Sequence, residues 1–221
     1  MDKVHWGTSS DKPSRKRDRC DESEQEIVNG NKRPKWLKND DTDIYVIDRE
    51  IHFTAEINSD TIERIIKKIT KIIHKNENKF VNEKLTIVYI VDSPGGCVTS
   101  ILKFVDFINM VRKKHTNVEF VSIITGLVAS AGTIMCMVAD KRLMTKNAHA
   151  MIHELTSGNR GKYTQLKSYG VFITSLHESL LNIYLENTNL PKDEIERLLA
   201  TETWFDAKTY KEHGFVHEII A

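Results

Sequence analysis

Ser130 stands inside Gly126-Leu127-Val128-Ala129-Ser130-Ala131-Gly132, between two different kinds of apolar run. Residues 118–125 are rich in β-branched and aromatic side chains, while 131–139 hold the better helix formers Ala and Met. That pattern predicts a serine where a strand hands over to a helix. The first N–H groups and positive dipole end of the helix would lie beside the hydroxyl, which suits a site where an oxyanion forms. A serine at a helix start also serves as a plain N-cap. A second stretch, Asp92-Ser93-Pro94-Gly95-Gly96-Cys97-Val98-Thr99, follows the apolar run Leu85–Val91. Proline and two glycines after a strand make a turn that lets backbone approach a ligand closely, so Gly96 N–H is a candidate oxyanion donor; an ordinary strand-to-helix turn has the same composition. A third feature is His153, which follows Met151-Ile152 at the end of a short apolar segment. It reads as a satisfied structural histidine, as a base, or, with His149 on the same strand face, as half of a two-histidine metal site. No glutamate-containing His-x-x-x-His helix pattern accompanies that pair.

The elements that must carry these residues alternate. Two short strands are expected at Ile44–Ile47 and Ile51–Phe53, then a helix capped by Ser59 with Ile62, Ile65, Ile66, Ile69, Ile72 and Ile73 on one face. Leu85–Val91 reads as a strand covered on both sides, and Ile101, Phe104, Val105, Ile108 and Val111 recur at helical spacing. Strands follow at 118–125, 142–145 and 149–153 around the helical run after Ser130. A long helix is expected from Tyr163 to Glu186, with too many apolar positions for one stripe, so that part of it meets another subunit. A short helix opened by Pro191, a last helix near 207–213 and a closing strand, 215–220, complete the chain. Strand, helix, strand, helix in this order argues an α/β layered domain.

With 221 residues, 40% of them hydrophobic, the chain is long enough for one core and too short for two. Residues 1–43 are polar and charged and read as an extension outside that core, leaving 44–221 as the domain. Its basic clusters Arg15-Lys16-Arg17 and Lys32-Arg33-Pro34-Lys35 match a bipartite nuclear-import pattern, with a solvated tail as the plainer reading. A formal net charge of +1 gives no field for nucleic acid or an anionic membrane. Cys20, Cys97 and Cys136 are odd in number and widely spaced, as expected of reduced thiols in a cytoplasmic protein rather than of a disulfide framework. No apolar stretch of about 18 residues or more suggests a membrane span.

Taken in order, Ser93-Pro94-Gly95-Gly96 with Val98-Thr99, Gly126–Gly132, Met151-Ile152-His153, and Ile195-Glu196-Arg197 with Trp204 and Gly214 downstream resemble the Clp protease proteolytic subunit family. The resemblance covers about Ile44 to the C-terminus. It implies a crotonase-like layered fold of repeated strand-helix units with a protruding handle helix after Gly161, and serine endopeptidase activity on unfolded polypeptides. It further implies Ser130 as nucleophile, His153 as general base, and the Gly96 and Ala131 N–H groups as the oxyanion hole. The third triad position, counted forward from His153, holds Glu202 where the family carries an aspartate; the extra methylene, roughly 1.5 Å, requires the backbone to retreat. Asp206 is the fallback. Also implied are stacked homo-oligomeric rings and an AAA+ unfoldase partner. No Gly-x4-Gly-Lys-Ser/Thr loop is present, so ATP is expected to be used only by the partner, and no cofactor is expected on this chain. Two other functions share these residues: a catalytically inactive ring subunit or scaffold, to which the glutamate lends weight, and a crotonase-type acyl-CoA hydratase or isomerase, which holds a thioester oxygen with the same kind of backbone donors and needs neither Ser130 nor His153.

Overall fold

The computed structural model describes residues 42–76 and 83–220. The extension expected over 1–43 therefore lies outside the described residues except for its last two, as does most of the loop expected over 76–83. Strands β1 (Ile44–Ile47) and β2 (Glu50–Phe53) form an antiparallel hairpin. From β2 the sheet continues in parallel through β3 (Leu85–Ser93), β4 (Val118–Ala129), β5 (Lys141–Thr145) and β8 (Glu218–Ile220), in the order β1-β2-β3-β4-β5-β8. The helices α1 (Ser59–Asn76) and α2 (Val98–Lys114) make the parallel crossovers into β3 and β4. Parallel neighbours require such crossovers, which is why helical and strand periodicities alternate along the chain.

Isoleucine spacing sets α1 against the sheet. Ile62, Ile65, Ile69, Ile72 and Ile73 are buried, each worth about 1.5–3 kcal/mol on leaving water, whereas Ile66 is only partly covered. The cap is Asn58, not the expected Ser59. Asn58 Oδ1 accepts from Thr61 N at 3.0 Å, and Thr61 Oγ1 accepts from Asn58 N at 2.9 Å, so two end donors are satisfied reciprocally. Strand β3 also differs from expectation. It buries Leu85, Ile87, Tyr89, Val91 and Ser93 on one face, while Thr86, Val88 and Ile90 on the other are half-covered. Asp43 ties the hairpin to α1: its carboxylate receives Arg64 Nη2 at 2.7 Å and Nη1 at 3.2 Å, which holds that carboxyl below its ordinary range.

The site-bearing half departs most from a simple layered sheet. β4 runs four residues further than the apolar pattern suggested, to Ala129, and changes neighbour on the way. Val121–Ile124 pair with β5, but Leu127–Ala129 pair with β6 (His149–Ile152), which leaves the main sheet. β6 in turn pairs antiparallel with β7 (Thr203–Asp206), a strand absent from the sequence reading. The closing strand is shorter than 215–220, because Phe215 and Val216 are core residues packed under α6 (Ala207–Glu212) rather than sheet residues.

Arg142 locks this half together. Its side chain is almost fully buried and has no carboxylate partner among the described residues; Nε donates to Phe215 O at 2.9 Å, Nη1 to Met137 O at 3.4 Å, and Nη2 to Asn187 O at 2.8 Å and Gly214 O at 3.5 Å. Met137 and Asn187 are the last residues of α3 (Ala131–Met137) and α4 (Tyr163–Asn187). One guanidinium thus neutralises the carbonyl ends of two helices, where the dipole is negative.

Candidate active site

Three chain segments meet at the carboxyl end of β4. The first is the turn after β3. Ser93 Oγ donates to Ala55 O at 2.7 Å and accepts from Gly95 N at 3.2 Å, so a buried hydroxyl shapes the turn. Gly95 has φ +92°, and a Cβ there would stand 2.5 Å from Ala129 O and 2.8 Å from Ser130 Cβ. Only glycine lets the turn lie this close to the serine. Ile57 then fixes the next residues, with Ile57 N donating to Gly95 O and Cys97 N to Ile57 O, both at 2.7 Å. Because alternate residues of an extended segment point their amides to opposite sides, Gly96 N–H faces away from Ile57. Among the described residues it has no protein acceptor.

The second segment is the β4–α3 junction. Asp92 Oδ1 accepts from Leu127 N at 3.1 Å, which steadies β4 where it changes neighbour, and Ser130 N donates to Met151 O at 2.8 Å. Ser130 itself adopts φ 53°, ψ −125°, a region that costs a non-glycine residue about 1–3 kcal/mol and is held only by surrounding contacts. Its hydroxyl makes no cap bond to α3, so the plain N-cap reading fails. Instead Ser130 Oγ lies 2.8 Å from His153 Nε2. With the ring proton on Nδ1, Nε2 accepts from the serine hydroxyl. Ala131 N, at the first position of α3, likewise has no acceptor among the described residues.

The third segment carries the imidazole. β6 ends at Ile152, and His153 turns off the strand toward Ser130. His149, the other histidine of the two-histidine reading, is exposed and lies opposite Asp206. The ladder ends at Ile152↔Thr203, so Glu202 and His153 are the residues that flank its last pair. Glu202 is exposed with φ 48°, and no hydrogen bond joins it to His153 among the described residues. Asp206, the fallback, sits at the far end of β7 and caps α6, accepting from Thr209 N at 2.7 Å; that bond holds its carboxyl below the ordinary range. Asp206 is therefore committed elsewhere.

Beside Ser130 lies a cavity of about 140 Å³ with apolar walls from Val98, Ile134, Leu180, Tyr184 and Leu199 and a polar edge at His177. Leu199 comes from α5 (Lys192–Ala200), whereas His177, Leu180 and Tyr184 come from α4, part of whose apolar surface is expected to meet another subunit. The helix divides: Leu181, Ile183 and Tyr184 are buried against the body, while Tyr163, Leu166, Val171 and Phe172 are exposed. Helical spacing alone does not tell these two fates apart. Cys97, expected from the sequence only to be a reduced thiol, lies at the turn after β3. It precedes α2, is exposed, and has its thiol lowered to about 7 by hydrogen bonds from Ser100 and Thr99.

Peptide hydrolysis by a serine-type endopeptidase is the chemistry that an α/β frame with this junction supports, and comparison with known proteins places the chain in that class. The Clp protease family model matches residues 34–221. An ATP-dependent Clp protease proteolytic subunit 1 from Chlamydia pneumoniae is 28% identical over 176 residues, covering 78% of this chain and 86% of that one. The ATP-dependent Clp protease proteolytic subunit of Lactococcus lactis subsp. cremoris is 28% identical over 178 residues, covering 78% and 83% respectively. The chain belongs to the Clp protease family. Acyl-CoA hydration or isomerisation gains no support from these matches.

Proposed function

We propose that this chain is a peptidase subunit that cleaves unfolded polypeptides with Ser130 as nucleophile and His153 as general base. The observation that carries the proposal is the 2.8 Å approach of His153 Nε2 to Ser130 Oγ. As Oγ attacks a peptide carbonyl, its proton passes to Nε2, and the same proton is later given to the departing amine. The carbonyl oxygen gains negative charge and is held by Gly96 N–H and Ala131 N–H. Water then hydrolyses the acyl-serine by the same route in reverse. Glu202 orients the imidazole through Nδ1. Glu202 directly precedes Thr203, which pairs with Ile152, so its side chain has to turn toward the ring to do so. An extended substrate pairs by strand addition along Gly96-Cys97, the extended residues before α2 begins at Val98, and along the segment after His153.

The subunit works within stacked homo-oligomeric rings, where polypeptide is delivered by an AAA+ unfoldase that spends the ATP. Family membership and the exposed apolar half of α4 support the ring reading. The separated Glu202 keeps one other reading in view, that of an inactive ring subunit. A fluorophosphonate probe distinguishes the two. Wild type is expected to label at Ser130, and peptide cleavage to fall roughly 10³-fold or more in Ser130→Ala and His153→Ala. Cleavage surviving Ser130→Ala removes the assignment, and a folded wild type that never labels favours the inactive subunit.

A further inference from the structure

The peptide plane that bears the Ala131 amide is held by residues outside the proposed triad. Ser130 O accepts two hydrogen bonds from one residue, from Thr133 N at 3.0 Å and from Thr133 Oγ1 at 2.6 Å. Thr133 Oγ1 also lies 2.6 Å from Tyr184 Oη. A threonine hydroxyl has one proton, and here it goes to the Ser130 carbonyl, so Tyr184 O–H is the donor to Thr133 Oγ1. Both side chains are buried, Thr133 at 0% exposure and Tyr184 at 3%, so water does not substitute for either partner. Burial also pushes the Tyr184 phenol up from its ordinary value, which keeps the donor protonated.

The consequence follows from the planarity of the peptide unit. Ser130 C=O and Ala131 N–H belong to one rigid plane and point in opposite directions, so fixing the oxygen fixes the amide hydrogen. Ser130 is in a strained conformation at φ 53°, which a missing restraint would let relax. Tyr184 is in turn anchored edge-on to Phe215, with ring centroids 6.0 Å apart, and its helix end is held three residues later by Arg142. The same ring forms a wall of the cavity beside Ser130.

We infer that Tyr184 and Thr133 are positioning residues that aim the Ala131 N–H at the oxyanion, coupling the α4 wall of the cavity to the nucleophile's own peptide plane. This rests on the reading of Ser130 as nucleophile. Tyr184→Phe keeps the ring and removes only the donor. Its expected effect is a fall in kcat of about 5–10-fold with KM within about twofold, because the oxyanion donor acts on the transition state and not on bound substrate. A peptide boronate that mimics the tetrahedral adduct should lose affinity in step with kcat, whereas a product peptide should not. Thr133→Val should match Tyr184→Phe, the double variant should lose no more than about the larger single loss, and Thr133→Ser should recover most of the rate. Melting temperatures of all variants report folding separately.

Unchanged kcat and boronate affinity in Tyr184→Phe, with Ser130 labelling normal, overturn the positioning role and leave the peptidase reading intact. Losses in the two single variants that multiply in the double overturn the relay. Failure of wild type to label at Ser130 overturns the underlying reading itself and the inference with it.

Discussion

Substituting Gly95 by alanine tests whether the turn after β3 sets the geometry of the serine. The added Cβ would stand 2.5 Å from Ala129 O and 3.0 Å from Ala131 N, and the residue would have to keep φ +92°. A carbon needs about 3.3 Å from a carbonyl oxygen, so the two backbones must separate by roughly 0.8 Å. The strained φ adds about 1–3 kcal/mol. Both sides of the clash are backbone, and neither swings away like a long side chain. The displaced atoms belong to the proposed nucleophile, the Ala131 donor and the adjoining Gly96 donor. A misplacement of about 1 Å at reacting groups costs roughly 10²-fold in rate. The destabilisation corresponds to a melting-temperature fall of roughly 2–12 °C for a chain of this size. The expected result is a folded Gly95→Ala variant whose fluorophosphonate labelling and peptide cleavage both drop about 10²-fold. A folded variant that labels within about threefold of wild type would refute the argument that contact between the two turns positions Ser130.

Glu202→Gln should lower kcat by roughly 10³-fold with Ser130 still present, as expected when the imidazole loses a carboxylate on Nδ1; a loss under about threefold means the assembled site does not use Glu202. Arg142→Met leaves two buried and two half-buried carbonyls without their donor, and about 3–5 kcal/mol of stability should disappear, read as a lower urea midpoint at constant m-value. Cys97, lowered to about 7, should reach half its maximal iodoacetamide rate near that pH. An unperturbed thiol does so at about 8.5, and the sign follows because a lowered pKa moves the reactive thiolate to lower pH. Peptide mapping over a pH series checks this, and Cys136, buried and pushed up by desolvation, should stay silent.

The sequence by itself determined the elements whose reasons are local. Isoleucines at helical spacing require one buried face, and α1 has it; helix formers after β-branched runs place a junction at Ser130, and α3 begins there. Two adjacent glycines after a strand require close backbone approach, and Gly95 lies against Ser130. The alternation of periods gave the α/β class because parallel strands need crossovers.

What only the tertiary structure decided were matters of pairing between distant segments. The partner change within β4, the antiparallel β6–β7 ladder and the shortened last strand depend on which backbone groups find each other, and period does not encode that. For the same reason counting could set Glu202 near His153 but not reveal that its side chain stands clear of the ring, nor that Asp206 is taken by a helix cap. Tyr184 looked like any other apolar position on a long helix. Its role beside Thr133 arises because two helices bring together hydroxyls of residues 51 apart in sequence, at 2.6 Å, a distance fixed by packing and by no local preference of either residue.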